Sequence, residues 1–164
     1  MDHMTALVST FARAYHYRNN TTHIFADPLA EKMLAEEEYA AISENMARGI
    51  SYFAPEFRGT PEEALRFIVD RQLAPSVLAR SAFCERALDN AVLLDCRQIL
   101  IAACGYDTFS LRTGNENLTV FELDLPEMTE DRRRRIEKAF LEPACRVRSV
   151  GCDQIGRASC RERV

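Results

Sequence analysis

The chain has 164 residues, 47% of them hydrophobic and 28% charged, with a formal net charge of −4. This is enough chain for one domain with its own core, in a composition typical of soluble globular proteins. The acidic balance argues against nucleic acid as the main partner, because neutralising phosphates needs a basic face. No apolar run approaches membrane-spanning length and the first residues do not read as a secretory signal, so no membrane partner is expected and the expected compartment is the cytoplasm. Six cysteines form no C-x-x-C pair, and there are three histidines, which argues against a zinc site. Without an export signal the thiols are expected to stay reduced.

In chain order, Met4 to Tyr17 shows apolar residues at helical spacing and reads as an amphipathic helix, followed by a polar loop from Arg18 to His23. Asp27-Pro28 has the form of a helix start, with the acid as N-cap and the proline at the first helical position. From there to Phe53 the pattern predicts one long or two short helices, with Glu36 to Glu38 on a solvated face. Gly49 and the region of Pro55 break the run, and Phe53 and Phe57 are expected to pack into a hinge. Thr60-Pro61-Glu62-Glu63 predicts a capping box opening a helix to about Leu73, and Ser76 to Asp95 predicts another.

The stretch Gln98 to Asp124, QILIAACGYDTFSLRTGNENLTVFELD, carries the functional signal. Ile99 to Ala103 is too short for a helix and reads as a buried strand ending at Gly105; Leu118 to Leu123 reads as a second strand closing on Asp124. Strand, glycine turn, helix, strand and terminal acid make the first half of a nucleotide-binding α/β unit. A glycine lets a ligand approach the backbone closely, and an acid after the second strand can accept hydrogen bonds from both ribose hydroxyls. Ala103 stands where the first glycine of G-x-G-x-x-G would be, and Thr108 stands at the third. That departure disfavours a tightly held pyrophosphate and favours a nucleoside ligand without phosphate, of which S-adenosylmethionine is the common one. Pro126 to Phe140 reads as a charged helix whose block Arg132 to Arg135 is flanked by acids, hence a salt-bridged solvent face. Cys145 to Gly151 alternates and reads as a third strand closed by Cys152-Asp153.

The runs ILIAACGYDTFSLR and FELDLPEM resemble the first- and second-strand motifs of the leucine carboxyl methyltransferase-like family, class I S-adenosylmethionine-dependent O-methyltransferases. IFADPLAEKML and LARSAFCERAL resemble family segments upstream in the expected order, and the likeness covers roughly Ser9 to Asp153. It implies an α/β fold: an N-terminal helical cap (residues 1–95) and the first three parallel strands of a Rossmann-like methyltransferase sheet (residues 96–154). It also implies S-adenosylmethionine as cofactor, a small-molecule acid or hydroxyl as acceptor, and a place near polyketide biosynthesis.

The resemblance further assigns residues. Arg80 would pair with the methionine carboxylate of the cofactor, although the second arginine the family often has two positions later is Ala82 here. A planar guanidinium suits a carboxylate because it meets it bidentately. Arg13, in an Arg-Ala pair of the first helix, would reach or fold over the same carboxylate; the alternative is a solvated surface arginine. Gly105 would give close backbone approach, Asp107 would shape the turn or touch the ligand through water, Asp124 would hold the ribose and Asp153 the adenine amino group. Cys104 has no nearby histidine to activate it and reads as buried filler rather than nucleophile. No catalytic base is apparent. Ile155 to Val164, IGRASCRERV, has no counterpart in the family and reads as an adapter-derived, non-native tail. On that reading the chain stops after strand three, and expressed alone it is expected to be aggregated or only loosely folded and to lack methyltransferase activity. An NAD-dependent oxidoreductase and a non-catalytic homologue or binding module are the competing readings.

Overall fold

The computed structural model describes residues 3–153; the adapter-like tail falls outside them. The chain divides into two compact units, Met1–Arg86 and Ala87–Val164, so the division lies inside a helix.

The first unit is helical. α1 (Met4–Asn19) buries Phe11 and Tyr15 against Phe25, Ile42, Val69, Ala74 and Leu78. The Phe11 ring lies 4.8 Å from that of Tyr39. Burying each such side chain contributes roughly 1.5–3 kcal/mol. Asp27 does not open a helix as its sequence predicts. Its Oδ1 accepts the Leu29 N–H at 3.2 Å and its Oδ2 is paired with Arg13, so Pro28 begins a turn that leads into a single 3₁₀ turn, Glu31–Met33. Leu34 and Ala35 are extended, and α2 (Glu36–Arg48) starts afresh. Of the acidic run, Glu38 is not merely solvated: its carboxylate accepts the Ala35 N–H at 2.9 Å and caps α2. α3 (Ile50–Phe53) follows Gly49. Phe57 packs on Phe67 at 5.8 Å, whereas Phe53 is exposed and takes no part in a hinge core.

α4 (Pro61–Ile68) begins with the reciprocal box expected: Thr60 Oγ1 accepts the Glu63 N–H at 3.2 Å and Glu63 accepts the Thr60 N–H at 2.8 Å. The helix does not stop at Leu73. A π-helical turn, Val69–Leu73, carries it straight into α5 (Ala74–Leu93). The cause is Pro75, which has no N–H for the Arg71 carbonyl and would clash with it in an α-helix. Widening by one residue, with the Ala74 N–H reaching back to the Val69 carbonyl, lets the chain pass the proline.

The second unit is a three-stranded parallel sheet in the order β1-β2-β3, with β1 Gln98–Ala102, β2 Thr119–Asp124 and β3 Arg146–Gly151. Ile99 faces Val120, and Asp124 faces Gly151. α6 (Phe109–Arg112) is one turn long, and α7 (Pro126–Lys138) joins β2 to β3. Ile99, Phe109, Leu118, Val120 and Cys145 form the core, with Leu88 and Val92 of α5 packed against it. β1 is less buried than its apolar run predicts: Ile99 is buried but Leu100 is 63% exposed. Among the described residues β1 is paired on one side only, with β2, so its other edge carries no strand there. Gly151 lets α7 start close to β3, since a Cβ there would stand 2.9 Å from Pro126 Cα.

Candidate functional site

Parallel strands end together, and in open α/β sheets ligands bind beyond those carboxyl ends. Here that edge gathers the turn after β1, Asp124 at the end of β2, and Asp153, two residues beyond β3. Ala103 and Gly105 both take positive φ, 52° and 49°, so the position where a G-x-G motif has its first glycine does adopt the left-handed conformation, with alanine in it. The Cys104 N–H continues the ladder to the Leu123 carbonyl at 3.1 Å, and the Asp107 N–H closes the turn on the Cys104 carbonyl at 2.9 Å. The Gly105 N–H donates to Asp124 Oδ2 at 2.7 Å, while Asp124 Oδ1 accepts the Leu125 N–H at 2.7 Å. A carboxylate has about four lone-pair sites, so Asp124 keeps acceptor capacity beyond these two bonds. Its main-chain carbonyl accepts the Cys152 N–H at 2.7 Å, which ties the approach to Asp153 to the same residue. Asp153 itself is exposed. Asp107 shapes the turn: its Oδ1 accepts the Phe109 N–H at 2.7 Å and starts α6.

Beneath the turn lies a polar network that the charge pattern of α7 conceals. Arg132 is not on a solvent face; it is 2% exposed. Its Nε and Nη2 meet Glu122 Oε2 and Oε1 at 3.0 and 2.6 Å, and Nη1 donates to the Asp107 carbonyl. Ser110 Oγ donates to Glu122 at 2.6 Å. Burial pulls the Arg132 guanidinium down, but the hydrogen bonds and charge of Glu122 outweigh it and hold the pKa above the ordinary value. Next to this pair the Tyr106 hydroxyl donates to Asp131 at 2.6 Å, and Arg135, also bonded to Asp131 at 2.7 Å, lies 4.5 Å from the Tyr106 ring centre. Burial tends to raise the Asp131 carboxyl; Tyr106 and Arg135 prevail and hold it below the usual range. Arg133 keeps the solvated role expected of the block, bridging Glu130 and Glu137.

Burial pushes the Cys104 thiol up to about 12, with Arg132 opposing and nearby carboxylates adding to the rise. A thiol that stays protonated at neutral pH is no nucleophile, which leaves the filler reading.

Arg13 and Arg80 belong to the helical unit. Arg13 is buried rather than solvated, ion-paired with Asp27 and donating to Thr10 Oγ1 at 3.1 Å. Arg80 is exposed on α5 and makes no ion pair among the described residues. Sequence reasoning passed over Glu122, Arg132, Ser110 and Tyr106. A cue was present for Arg132: it stands four residues from both Met128 and Ile136, within the apolar stripe of α7. Among the described residues no three His, Cys, Asp or Glu side chains converge as metal ligands would. No helix there is long and apolar enough to cross a membrane.

Comparison with known proteins agrees with this architecture. The leucine carboxyl methyltransferase family model matches residues 6–159. A Bacillus subtilis (strain 168) protein named "Putative S-adenosyl-L-methionine-dependent methyltransferase YktD" is 38% identical over 144 residues, 84% of this chain and 47% of that protein. Proteins with the same descriptive name from Mycobacterium marinum (strain ATCC BAA-535 / M) and Mycobacterium ulcerans (strain Agy99) are 28% identical over 151 residues, 91% of this chain and 46% of theirs. The chain thus spans about half the length of the curated relatives it matches. Matched over most of its length by the family model, and carrying the glycine turn and strand-end acid in a parallel sheet, the chain belongs to the leucine carboxyl methyltransferase family.

Proposed function

We propose that the protein is an S-adenosylmethionine-dependent methyltransferase that methylates an oxygen, carboxylate or hydroxyl, of a small molecule in the cytoplasm. The observation that carries this reading is the bond from the Gly105 N–H to Asp124 at the carboxyl edge of the parallel sheet. It joins the glycine turn to the acid whose remaining lone pairs suit a ribose diol. The donor set fits the cofactor: Asp124 would hold the ribose, Asp153 the adenine amino group, Gly105 would admit the cofactor close to the main chain, and Asp107 would keep the turn in shape. Arg80, exposed and without an ion pair among the described residues, would take the cofactor's carboxylate. Arg13 would act from the same helical unit through its place beside Asp27.

When bound, the cofactor supplies a sulfonium methyl group already activated for displacement. The chain's own work would then be alignment and exclusion of water, with Asp124 and the glycine turn orienting the nucleoside end.

The test is calorimetric titration of the full-length protein with S-adenosylmethionine, its decarboxylated analogue and NAD. Binding of the first and not of NAD is expected, with Arg80→Lys weakening the first and leaving the decarboxylated analogue unaffected. Binding of NAD instead would replace this reading with an oxidoreductase.

A further inference from the structure

We propose that Arg132 is a positioning residue that sets the exit of the glycine turn from beneath and thereby tunes cofactor affinity; the affinity part rests on the reading of that turn as the cofactor site. The turn has two ends to fix. Its entry is held by Asp124, which accepts the Gly105 N–H at 2.7 Å. Its exit is held by a residue far away in sequence: Arg132 Nη1 donates to the Asp107 carbonyl, and Nη2 reaches Ser110 Oγ at 3.4 Å. The same guanidinium is locked in place by both oxygens of Glu122, which in turn accepts Ser110 Oγ–H at 2.6 Å and Ser149 Oγ–H at 3.4 Å. One rigid fork thus joins β2, α7 and the segment from Asp107 to Ser110, while the adjacent Asp131 holds Tyr106 by its hydroxyl.

Stability alone does not call for this arrangement. Taking both charges out of water costs more than their attraction reliably returns, and apolar pairs of similar volume commonly replace buried ion pairs without loss. What an apolar pair cannot do is donate to the Asp107 carbonyl. A lysine could neutralise Glu122, but its single ammonium has no planar fork with which to hold both carboxylate oxygens and the carbonyl at once.

The experiment compares wild type, Arg132→Lys and the double variant Glu122→Leu with Arg132→Met, each in the full-length protein. Melting temperature, S-adenosylmethionine affinity by calorimetry, and amide hydrogen exchange at Gly105, Asp107 and Phe109 are measured. The double variant is expected to stay folded, melting no higher than wild type because the Asp107 carbonyl and the Ser110 hydroxyl lose their partners, and to bind about tenfold more weakly, the scale of one lost orienting hydrogen bond. Its turn amides should exchange faster while those of β2 do not. If only Arg132→Lys folds, it carries the same readouts. A folded variant with wild-type exchange across the turn overturns the proposal, and so does one with faster exchange and unchanged affinity. Should wild type itself fail to bind while the turn amides of the variants still exchange faster, the positioning role stands and the cofactor reading falls.

Discussion

The Gly105 N–H donates to Asp124 Oδ2 across 2.7 Å, so the turn after the first strand and the acid after the second form one structural piece. A hydrogen bond to an ionised acceptor is worth about 1.5–3 kcal/mol. The carboxylate therefore orders the turn. Substituting Asp124 should both loosen the turn and remove an acceptor for a ribose.

For Asp124→Ala we expect S-adenosylmethionine affinity to fall about ten- to hundredfold, following the loss of one or two charge-assisted bonds. Asp124→Asn keeps one side-chain oxygen and should lie between the variant and wild type. Calorimetry that finds unchanged affinity in a folded Asp124→Ala protein would remove the ribose assignment.

Ala103 sits at φ 52°, a conformation that costs a residue with a Cβ roughly 1–2 kcal/mol. Glycine would relieve that strain but brings more conformational freedom to the unfolded chain, which offsets about 0.5–1 kcal/mol. Ala103→Gly should therefore stabilise the sheet unit by up to about 1.5 kcal/mol. Urea denaturation reads it as a higher midpoint at unchanged slope; a lower midpoint would mean that the alanine methyl makes packing contacts worth more than the strain.

These cases separate what a sequence makes legible from what it hides. The Thr60–Glu63 box, the three strands and the glycine-to-acid spacing were readable because each depends on neighbours or on a short strand-turn-strand unit. The π turn was not, because Pro75 signals an obstacle without saying whether the helix stops or widens. Arg132 was hidden for another reason. Its neighbours Arg133 and Arg134 make ordinary surface pairs, and only the distant Glu122 turns this one position inward. Likewise Asp27 resembles an N-cap locally, but Arg13 takes one of its oxygens and leaves a turn.

Cys104 is expected to resist alkylation. With its thiol pushed up to about 12, almost no thiolate exists in the folded protein at pH 8. Iodoacetamide under native conditions should label the exposed Cys84 and spare Cys104 and the buried Cys145. Peptide mapping gives the order of labelling. The same shift carries a stability term: above pH 9, the ordinary value, the unfolded thiol ionises and the folded one does not, so stability should decline as pH rises from about 9 towards 12. Early modification of Cys104 at pH 8 in folded protein would show that the turn opens readily.

His16 gives the helical unit a dependence on the acid side. The ring is buried on α1, and its Nε2 accepts the Ile24 N–H at 3.2 Å, which anchors the loop after the helix. That bond requires an unprotonated Nε2. Burial lowers the pKa first and the neighbouring His23, 5.5 Å away between ring centres, lowers it further; Asp70 works in the opposite direction. The folded value therefore lies below the ordinary 6.5. Above 6.5 both states carry a neutral ring and the anchor contributes fully. As pH falls below 6.5 the unfolded chain takes up the proton before the folded one does, so stability drops until pH has passed through the folded value. The melting temperature should fall between pH 7 and pH 5, partly through carboxylates that titrate near the lower limit. His16→Gln separates the two sources: it is less stable at pH 7, but its loss of stability from pH 7 to pH 5 should be smaller than wild type's. Equal losses in the two proteins would show that protonation of His16 does not control the loop.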